Sequence, residues 1–277
     1  MEHIRVSIIL PTYNGALRIA SAIESIRTQS YQEWELLIID DGSTDDTESI
    51  VSDFSNSDSR IRYIKNTHNL GIQKSLNSGL REARGEYIAR IDDDDIWPLP
   101  DKLTLQVDYL DKNPTCVLVG TGVILVDESG KELMRYFVPE TDTEIRRALL
   151  GKNCFVHSSV LFRREQALLC GGYDETMGTR HVEDYDLWLK LGIQGALANL
   201  RIYGVRFMVR GGSVSSQNKI EQFKKNFFLI QKFKHAYPQY IRAYLRSLLR
   251  ICVYGFFSRL PFGFSFESML RWYKKLW

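Results

Sequence analysis

The sequence is short of cysteine, and none of its apolar runs is long. Its 277 residues include four cysteines, which are dispersed and form no C-x-x-C pair. A structural zinc site or a disulfide framework is therefore not expected, and reduced thiols are the simpler interpretation. No apolar run approaches the ~20 residues that span a bilayer, and the apolar stretch at residues 6–10 is too short for a signal-peptide core. These absences predict a cytoplasmic protein that does not span a membrane.

A large net charge is also missing, but the charges are unevenly distributed. The chain has 36 Lys and Arg against 34 Asp and Glu, a formal net charge of +2. Residues 219–277 carry 12 basic and 2 acidic side chains, whereas residues 1–218 carry 24 basic and 32 acidic ones. An acidic body argues against general nucleic-acid binding, which needs a basic face. The contrast predicts a catalytic domain over residues 1–216 and a separate basic region over residues 217–277.

The first half of the chain alternates predicted strands and helices. Strands are predicted at residues 5–10, 34–39, 60–65 and 86–91, with helices between them at 16–29, 43–54 and 72–84. Ser43 or Thr44 is the expected cap of the second helix. This order predicts an α/β fold with a mostly parallel sheet and helices on both faces. Further along, helices are predicted at 99–112 and 182–191, and strands at 116–126, 133–138, 159–162 and 200–209.

Polar clusters directly follow three predicted strands, at residues 11–14, 40–44 and 92–95. In a parallel sheet, ligands bind beyond the carboxyl ends of the strands. The last cluster is a run of four acids, Asp92 to Asp95, which raise one another's pKa unless a cation compensates them. Magnesium takes one or two protein carboxylates and substrate phosphate. The run therefore predicts a divalent-metal site that binds a diphosphate. The alternatives are a solvated acidic turn and a calcium-binding loop, although the central Gly of a calcium loop is missing here.

A second acidic cluster begins the predicted helix 182–191. Asp184, Leu187 and Trp188 lie at helical spacing on one face, so Asp184 heads an apolar stripe while Asp186 points elsewhere. A carboxylate that faces inward at a helix start is placed to work near a substrate. The alternative is that Glu183 and Asp184 only complement the helix dipole.

Six short motifs occur in one order along the chain. They are Pro11-Thr12-Tyr13-Asn14, Asp40-Asp41-Gly42-Ser43-Thr44-Asp45, Asn69-x-Gly71, Asn77-x-Gly79, Gly85-Glu86-Tyr87 and Asp92-x-Asp94-Asp95. Together they resemble glycosyltransferase family 2, which has the GT-A fold, a Rossmann-like sheet. The resemblance covers about residues 4–216, and the helical C-terminal extension lies outside it.

The resemblance implies a nucleotide-sugar site at the strand ends. Pro11, Thr12 and Tyr13 would border the donor, with the Tyr13 ring stacked on the nucleobase. Asp41 would accept a hydrogen bond from the N3–H of a uracil, and Asp40 would support the turn.

The metal and the diphosphate would be bound nearby. Asp92 and Asp93 would contact the donor, and Asp92 and Asp94 would ligate Mn²⁺ or Mg²⁺, although the choice among the four acids stays open. Many relatives carry a His in the loop where this chain has Arg210. An arginine does not ligate a metal, but it grips a diphosphate by a bidentate contact.

In the resembling family, the acid at the position of Asp184 is the general base. It would deprotonate an acceptor hydroxyl that attacks the anomeric carbon, and one direct displacement would invert that carbon. His157, His181 and Glu183 are candidates for the acceptor side, although most lone histidines are merely packed or solvated.

The C-terminal region combines basic and aromatic residues. Tyr244, Leu248, Ile251 and Tyr254 fall at helical spacing, with arginines on another side. Such a helix is typical of the membrane interface, where basic residues are attracted to anionic lipids. A helical cap on the body or a homodimer contact is the alternative.

One motif near the end points to a different activity. Ser268-x-x-Arg271-Trp272 superficially matches part of a motif of processive polysaccharide synthases, but its Gln is absent and no membrane spans accompany it. We interpret it as chance and expect one sugar to be added per encounter.

These features predict an inverting, metal-dependent glycosyltransferase that moves one hexose or N-acetylhexosamine from a UDP-sugar. The expected acceptor is a saccharide on a polyprenyl diphosphate in bacterial O-antigen or capsule synthesis, at the inner face of the membrane. A nucleotidylyltransferase is one alternative, although residues 11–14 lack its Gly-rich phosphate loop. A sugar-nucleotide-binding or scaffold protein without catalysis is another, against which intact Asp94 and Asp184 argue.

Overall fold

The computed structural model describes residues 3–210 and 219–257. Within these ranges the chain forms one sheet of eight strands; every predicted strand is present, the one at 116–126 with the predicted ends and the others with shifted ends. The strands are β1 (Val6–Thr12), β2 (Trp34–Asp40), β3 (Ile61–Lys65), β4 (Tyr87–Arg90), β5 (Cys116–Val126), β6 (Glu132–Tyr136), β7 (Leu161–Arg163) and β8 (Ala196–Met208).

Nine α-helices are found in the same described ranges. They are α1 (Ile19–Arg27), α2 (Thr47–Ser57), α3 (Ile72–Glu82), α4 (Lys102–Lys112), α5 (Asp142–Leu149), α6 (Arg164–Leu169), α7 (Glu183–Gln194), α8 (Lys219–Lys232) and α9 (Tyr240–Phe257). The predicted cap of α2 was wrong. This helix begins at Thr47, where the Asp45 carboxylate accepts the Thr47 backbone N–H at 3.1 Å, while the Ser43 hydroxyl accepts the N–H of Asn14 in the loop after β1.

The sheet is mixed, with the order β3-β2-β1-β4-β7-β5-β6 and with β8 paired to β5. Strands β1 to β4 are mutually parallel, whereas β7 is antiparallel to both β4 and β5. Thr12 lies in register with Asp40, so β1 and β2 end side by side. The carboxyl ends of the four parallel strands therefore meet at one edge, as the expected α/β fold requires.

Apolar side chains cover both faces of the sheet. On β2, Leu36 and Ile38 belong to one buried cluster, while Leu37 and Ile39 belong to the other. Successive side chains of a strand point to opposite faces, so a strand buried on both sides needs a continuous apolar run. The two clusters are the two cores of a three-layer arrangement.

The C-terminal helices pack on the catalytic body. Leu229, Ile230, Phe233 and Tyr237 are buried in the same cluster as Trp188 of α7. The Tyr237 hydroxyl also donates to the backbone oxygen at position 189 over 2.7 Å. The helical cap considered above is therefore present.

The exposed apolar face of α9 differs from the predicted one. Tyr244, Leu248 and Ile251 are half-buried, so the predicted aromatic face is not the solvent face of the helix, and the side chain of Tyr254 lies outside the described residues. The exposed apolar residues of this helix are Ile241, Leu245 and Leu249. Among the residues that the structure describes, no helix has the length and apolar content needed to span a bilayer.

Candidate active site

The end of β1 contacts the acidic run directly. The Thr12 hydroxyl donates to the Asp93 carboxylate at 2.6 Å. Any Cβ at Gly15 would collide with the Thr12 hydroxyl and with Asp93, so only glycine fits at this close approach. The contact fixes the first predicted polar cluster beside the third.

Asn14 joins the ends of β1 and β2. Its backbone N–H donates to the Ser43 hydroxyl at 2.9 Å, and its side-chain oxygen accepts the Thr44 N–H at 2.9 Å. Next to it, the Tyr13 ring is half exposed at the strand edge. Tyr13 is therefore accessible to a flat ligand ring, as the predicted nucleobase contact needs, and Pro11 is buried two residues earlier.

The two acids at the end of β2 have different partners. Asp40 accepts from the Ser43 N–H and from the Tyr63 hydroxyl, so it supports the turn as predicted. Asp41 accepts the backbone N–H groups of Leu70 and Gly71 at 2.9 and 2.8 Å. Asp41 therefore holds the loop before α3 against the strand ends, and its predicted contact with uracil stays a prediction.

The four acids after β4 are not equivalent. Asp92 forms an ion pair with Arg90, and Asp94 forms one with Arg210. Asp95 is fully buried, where it accepts from the Ser158 hydroxyl and from the backbone N–H at position 208. Asp95 thus connects the run to β8 and faces away from the cleft, which leaves Asp92, Asp93 and Asp94 as candidate ligands.

The electrostatics of the acidic run Asp92 to Asp95 favour the binding of a cation. Burial raises the pKa of Asp93 to about 6, and the charges of Asp94 and Asp92 add to this rise. Burial and Asp92 likewise raise the pKa of Asp94. In the described part of the chain, no three His, Cys, Asp or Glu side chains form a closed metal site. One or two carboxylates that share a divalent ion with substrate phosphate fit this arrangement.

Asp184 lies at the start of α7, opposite the acidic run. The side-chain amide of Asn153 donates to its carboxylate at 3.0 Å. Burial raises the pKa of Asp184, and the charges of Arg90 and Asp92 also act on it. The candidate base therefore lies near Arg90 and the acidic run, and the space that these groups border is called the cleft below.

The neighbours of Asp184 on α7 are more buried than the sequence pattern indicates. Burial and the charge of Asp184 raise the pKa of Glu183 to about 7, and this carboxylate accepts the backbone N–H of His181 at 2.6 Å. Asp186 is completely buried and pairs with Lys190 and Lys232. It does point away from the cleft as predicted, but toward α8 rather than toward solvent.

The two candidate histidines differ in their surroundings. His157 Nε2 lies 2.9 Å from the Tyr173 hydroxyl, and its ring packs edge-on against Trp188. Burial keeps the pKa of His157 well below its usual value, so the ring is neutral. His181 has a positive φ of 71° in the loop before α7. The acceptor roles of both histidines and of Glu183 stay predictions.

Sequence reasoning missed three residues that organise this cleft. Arg90 pairs with Asp92, Asn153 bonds to Asp184, and Ser158 accepts the Asp92 backbone N–H at 3.0 Å. Arg90 stands inside a predicted strand before the acidic run, and a charged residue in an otherwise apolar buried strand was the available signal. The motif of Ser268, Arg271 and Trp272 and the polar segment 213–218 lie outside the described residues.

This strand edge, with its acidic run and a facing carboxylate, has the architecture of the GT-A glycosyltransferases. The chain belongs to glycosyl transferase family 2, whose family model matches residues 7–168. Membership of this family supports the predicted glycosyltransferase over the nucleotidylyltransferase alternative.

Two curated relatives align over most of the chain. A Bacillus subtilis protein named as the glycosyltransferase EpsE is 37% identical over 209 residues, which is 73% of each chain. The Escherichia coli enzyme WfgD, named as a UDP-Glc:α-D-GlcNAc-diphosphoundecaprenol β-1,3-glucosyltransferase, is 31% identical over 84% of this chain and 88% of its own. The chain is therefore a glycosyltransferase, and further relatives are named for amylovoran biosynthesis in Erwinia amylovora and teichuronic acid biosynthesis in Bacillus subtilis.

Solved structures agree on the fold. S. aureus TarS 1-349 in complex with UDP-GlcNAc superposes with a TM-score of 0.72 at 19% identity, over 97% of this chain and 78% of that one. The mannosyltransferase PcManGT from Pyrobaculum calidifontis in complex with GDP-Man and Mn²⁺ gives 0.67 at 21% identity, over 89% and 69%. The predicted fold class is confirmed.

Proposed function

We propose that this chain is an inverting, metal-dependent transferase that moves one hexose or N-acetylhexosamine from a UDP-sugar to a lipid-linked saccharide. The observation that carries this proposal is the shared cleft, because Asp92 and Arg90 both act on the pKa of Asp184. A general base and a diphosphate site this close together suit a direct displacement. The UDP-sugar and the diphosphate-lipid acceptor named for WfgD support the substrate classes.

In the proposed reaction, Asp184 accepts the proton of an acceptor hydroxyl as its oxygen attacks the anomeric carbon. The bond from that carbon to the donor diphosphate breaks, and UDP leaves from the opposite face. Asn153 orients the Asp184 carboxylate through their 3.0 Å hydrogen bond. The raised pKa of Asp184 makes it a stronger base than an exposed aspartate.

The donor diphosphate would lie against the acidic run and Arg210. Asp92 and Asp94 would hold Mn²⁺ or Mg²⁺, and the ion would neutralise charge on the departing diphosphate. Asp94 forms an ion pair with Arg210. Arg210 is thereby positioned to contact the same phosphates by its planar guanidinium.

Association with the inner membrane surface is a further part of the proposal, and a homodimer through the C-terminal helices stays a prediction. The basic composition of residues 219–277 and the exposed Ile241, Leu245 and Leu249 support contact with an anionic surface. Assembly of O-antigen or capsule on a polyprenyl diphosphate would occur there.

Thermal unfolding with nucleotide and metal tests the donor site. UDP and Mn²⁺ at about a hundredfold over Kd should add ~2.7 kcal/mol and raise Tm by roughly 5–10 °C. Chelation by EDTA or the change Asp94→Asn should remove the part of this shift that depends on Mn²⁺. Arg210→Ala should reduce the shift with UDP but not with uridine, which has no diphosphate. Absence of any shift with UDP and Mn²⁺ together would refute the assignment.

A further inference from the structure

The segment that leads into α7 consists of turns and contains neither a helix nor a strand. We call residues 173–182 the lead segment, and Asp184 follows it as the second residue of α7. Its middle, residues 175–178, is exposed to solvent. An exposed turn with few packing contacts opens easily unless other elements hold it. The position of the candidate base therefore depends on what fixes the lead segment.

Asn77 of α3 holds the start of the lead segment. Its side-chain amide donates to the Tyr173 backbone oxygen at 2.8 Å, and its side-chain oxygen accepts the Tyr173 N–H at 2.9 Å. The same amide donates to the Glu175 carboxylate at 2.8 Å. A Cβ on Gly172, whose φ is 66°, would lie 2.6 Å from the Asn77 oxygen, so this close approach requires glycine. Both N–H groups and the oxygen of Asn77 are thus bonded to the lead segment.

Gln73, one helical turn earlier on α3, holds the rest of the lead segment. Its side-chain amide donates to the Asp174 backbone oxygen at 2.6 Å and to the Thr179 hydroxyl at 3.1 Å. The Thr179 backbone oxygen in turn accepts the N–H of Val182, the residue before α7. Gln73 and Asn77 are 7% and 8% exposed. Water therefore competes poorly for these hydrogen bonds.

Tyr173 connects the lead segment to α7 by a second route. Its hydroxyl lies 2.9 Å from His157 Nε2, and the His157 ring packs edge-on against Trp188 of α7. Trp188 follows Asp184 by four residues, so the two lie on the same side of the helix. Burial raises the pKa of Tyr173, and the charges of Arg90 and Asp184 also act on it. Asn77 therefore fixes a residue that lies beside the start of the base helix.

The helix that carries the two amides is itself fixed at several points. Asp41 accepts two backbone N–H groups at the start of α3. A Cβ on Gly79 would lie 2.6 Å from the Ile9 side chain, so α3 packs closely against β1 at this glycine. Side chains on a rigid helix set positions more precisely than those on loops. The motif that contains Asn77 and Gly79 thus joins the sheet to the lead segment.

We propose that Gln73 and Asn77 are positioning residues for sugar transfer, because they hold the lead segment and thereby keep Asp184 at its place in the cleft. This inference rests on the proposed function, which makes Asp184 the general base. A misplacement of about 1 Å at a reacting group costs on the order of 10²-fold in rate. Loss of either amide should therefore lower kcat and leave donor binding unchanged.

Amide hydrogen exchange tests the first step without any need for turnover. Gln73→Met and Asn77→Leu keep the size of each side chain and remove its hydrogen bonds to the lead segment. The reporters are the N–H groups of Val182 and Asp186, which bond to the backbone oxygens of Thr179 and Val182. Mass spectrometry of the peptide over residues 179–187 should show exchange at least about tenfold faster in both variants.

The matched control is Gln29→Met, which removes another buried amide that joins two elements. Gln29 is 1% exposed, donates to the Leu99 backbone oxygen at 2.9 Å and accepts the Leu103 N–H at 3.1 Å. Its loss should lower stability in urea by a similar amount and leave exchange in the reporter peptide slow. Equal acceleration in all three variants would show only a general loss of stability and would overturn the proposal. If Asn77→Leu does not fold, Gln73→Met decides the outcome.

Steady-state kinetics test the second step. UDP release is measured from UDP-glucose with GlcNAc-diphosphoundecaprenol, the substrates named for WfgD. In Gln73→Met and Asn77→Leu, kcat should fall by about tenfold or more while KM for the donor stays within about twofold. Gln29→Met should match the unmodified chain in both constants. A raised KM with unchanged kcat would instead place the effect at the donor site and refute the positioning role.

Asp184→Asn, measured in the same assay, separates this inference from the proposed function. Full transfer by Asp184→Asn would remove the base and with it the proposed mechanism. If Asp184→Asn loses transfer while Gln73→Met and Asn77→Leu keep full kcat, the base stands and the positioning role of the two amides is overturned.

Discussion

Among the side chains of the cleft, Asp184 combines burial, a fixed orientation and proximity to the acidic run. Asn153 holds one of its oxygens, and α7 begins one residue earlier. A carboxylate fixed in this way does not need to reorganise when an acceptor hydroxyl arrives. Glu183 is the neighbour of Asp184 in the chain, but its carboxylate is already bonded to the backbone of the preceding loop.

We expect Asp184→Asn to reduce sugar transfer by about 10²–10⁴-fold, the usual contribution of a general base. The amide keeps the shape of the side chain and cannot take the proton. Affinity for UDP with Mn²⁺ should not change, because the donor contacts lie elsewhere. The measurement is UDP release with a lipid-linked acceptor. Full transfer by this variant would instead favour a binding protein without this catalytic base.

Glu183 makes the stability of the fold depend on pH. Its pKa in the folded chain is about 7 against an ordinary value of 4.5, so the folded state binds more protons in this window. Stability therefore falls as pH rises from about 4.5 to about 7. Glu183→Gln removes this loss and keeps the acceptor for the His181 N–H.

The variant Glu183→Gln should thus gain roughly 1–3 kcal/mol over the unmodified chain at pH 8 and much less at pH 5. Urea unfolding at the two pH values measures the difference. Glu128→Gln, on an exposed turn, is the control and should show no such dependence. A constant difference across pH would contradict the burial of Glu183 as its cause.

At the scale of helices and strands, the contact between α7 and α8 depends on buried charge. Lys232 of α8 donates to Asp186 at 2.7 Å and to Asp174 at 3.0 Å. Asp186 is completely buried, and Lys190 is its other partner. Removing the Lys232 ammonium therefore leaves the negative charge of the buried Asp186 carboxylate only partly compensated.

Lys232→Met should therefore destabilise the fold by roughly 2–3 kcal/mol in urea unfolding. The double variant with Asp186→Asn should recover part of that loss, because the buried charge is gone as well. Lys234→Met, which removes a lysine just beyond the same helix, should change stability by less than about 0.5 kcal/mol. Additive effects of the two changes at Lys232 and Asp186 would show that the pair is not coupled.

The strands were predictable because their apolar runs are buried on both faces, as β2 shows. The helices and their ends were harder to predict than the strands. The Thr141-x-x-Glu144 capping box marks the start of α5 in the sequence, yet α5 was not predicted, because the helix is short and only Ile145 and Leu149 form its buried face. The burial of Asp186 was not predictable either, since its partner Lys232 is 46 residues away and is brought there only by tertiary packing.

The candidate active site was likewise predictable only in part from the sequence. The strand-end rule placed Tyr13, Asp41 and the acidic run together, because parallel strands end at one edge. No local pattern distinguishes Asp95 from its neighbours, although Asp95 is completely buried and bonds to the backbone N–H of Met208. Which acids face a cleft depends on the backbone path after β4, and that path is set by long-range contacts.

On the scale of the whole molecule, the packing of α8 and α9 on the catalytic body decides which variants can test the proposed membrane binding. Leu229, Ile230, Phe233 and Tyr237 are part of the main core, so deleting the chain from Lys219 onward would uncover that core. Loss of vesicle binding by such a deletion would not distinguish unfolding from loss of a membrane surface. Changes confined to the exposed row of α9 avoid this difficulty.

On the proposed function, we expect the segregation of charge to orient the basic C-terminal side of the molecule toward an anionic surface. Binding to phosphatidylglycerol vesicles should weaken as salt rises, and phosphatidylcholine vesicles should bind poorly. Ile241→Ser/Leu245→Ser/Leu249→Ser should reduce the remaining binding by about tenfold or more, because each side chain loses apolar area buried in the interface. Leu168→Ser/Leu169→Ser alters exposed leucines on α6 and should co-sediment with vesicles as the unmodified chain does. If both serine variants bind alike, charge alone holds the protein on the surface and α9 does not enter the interface.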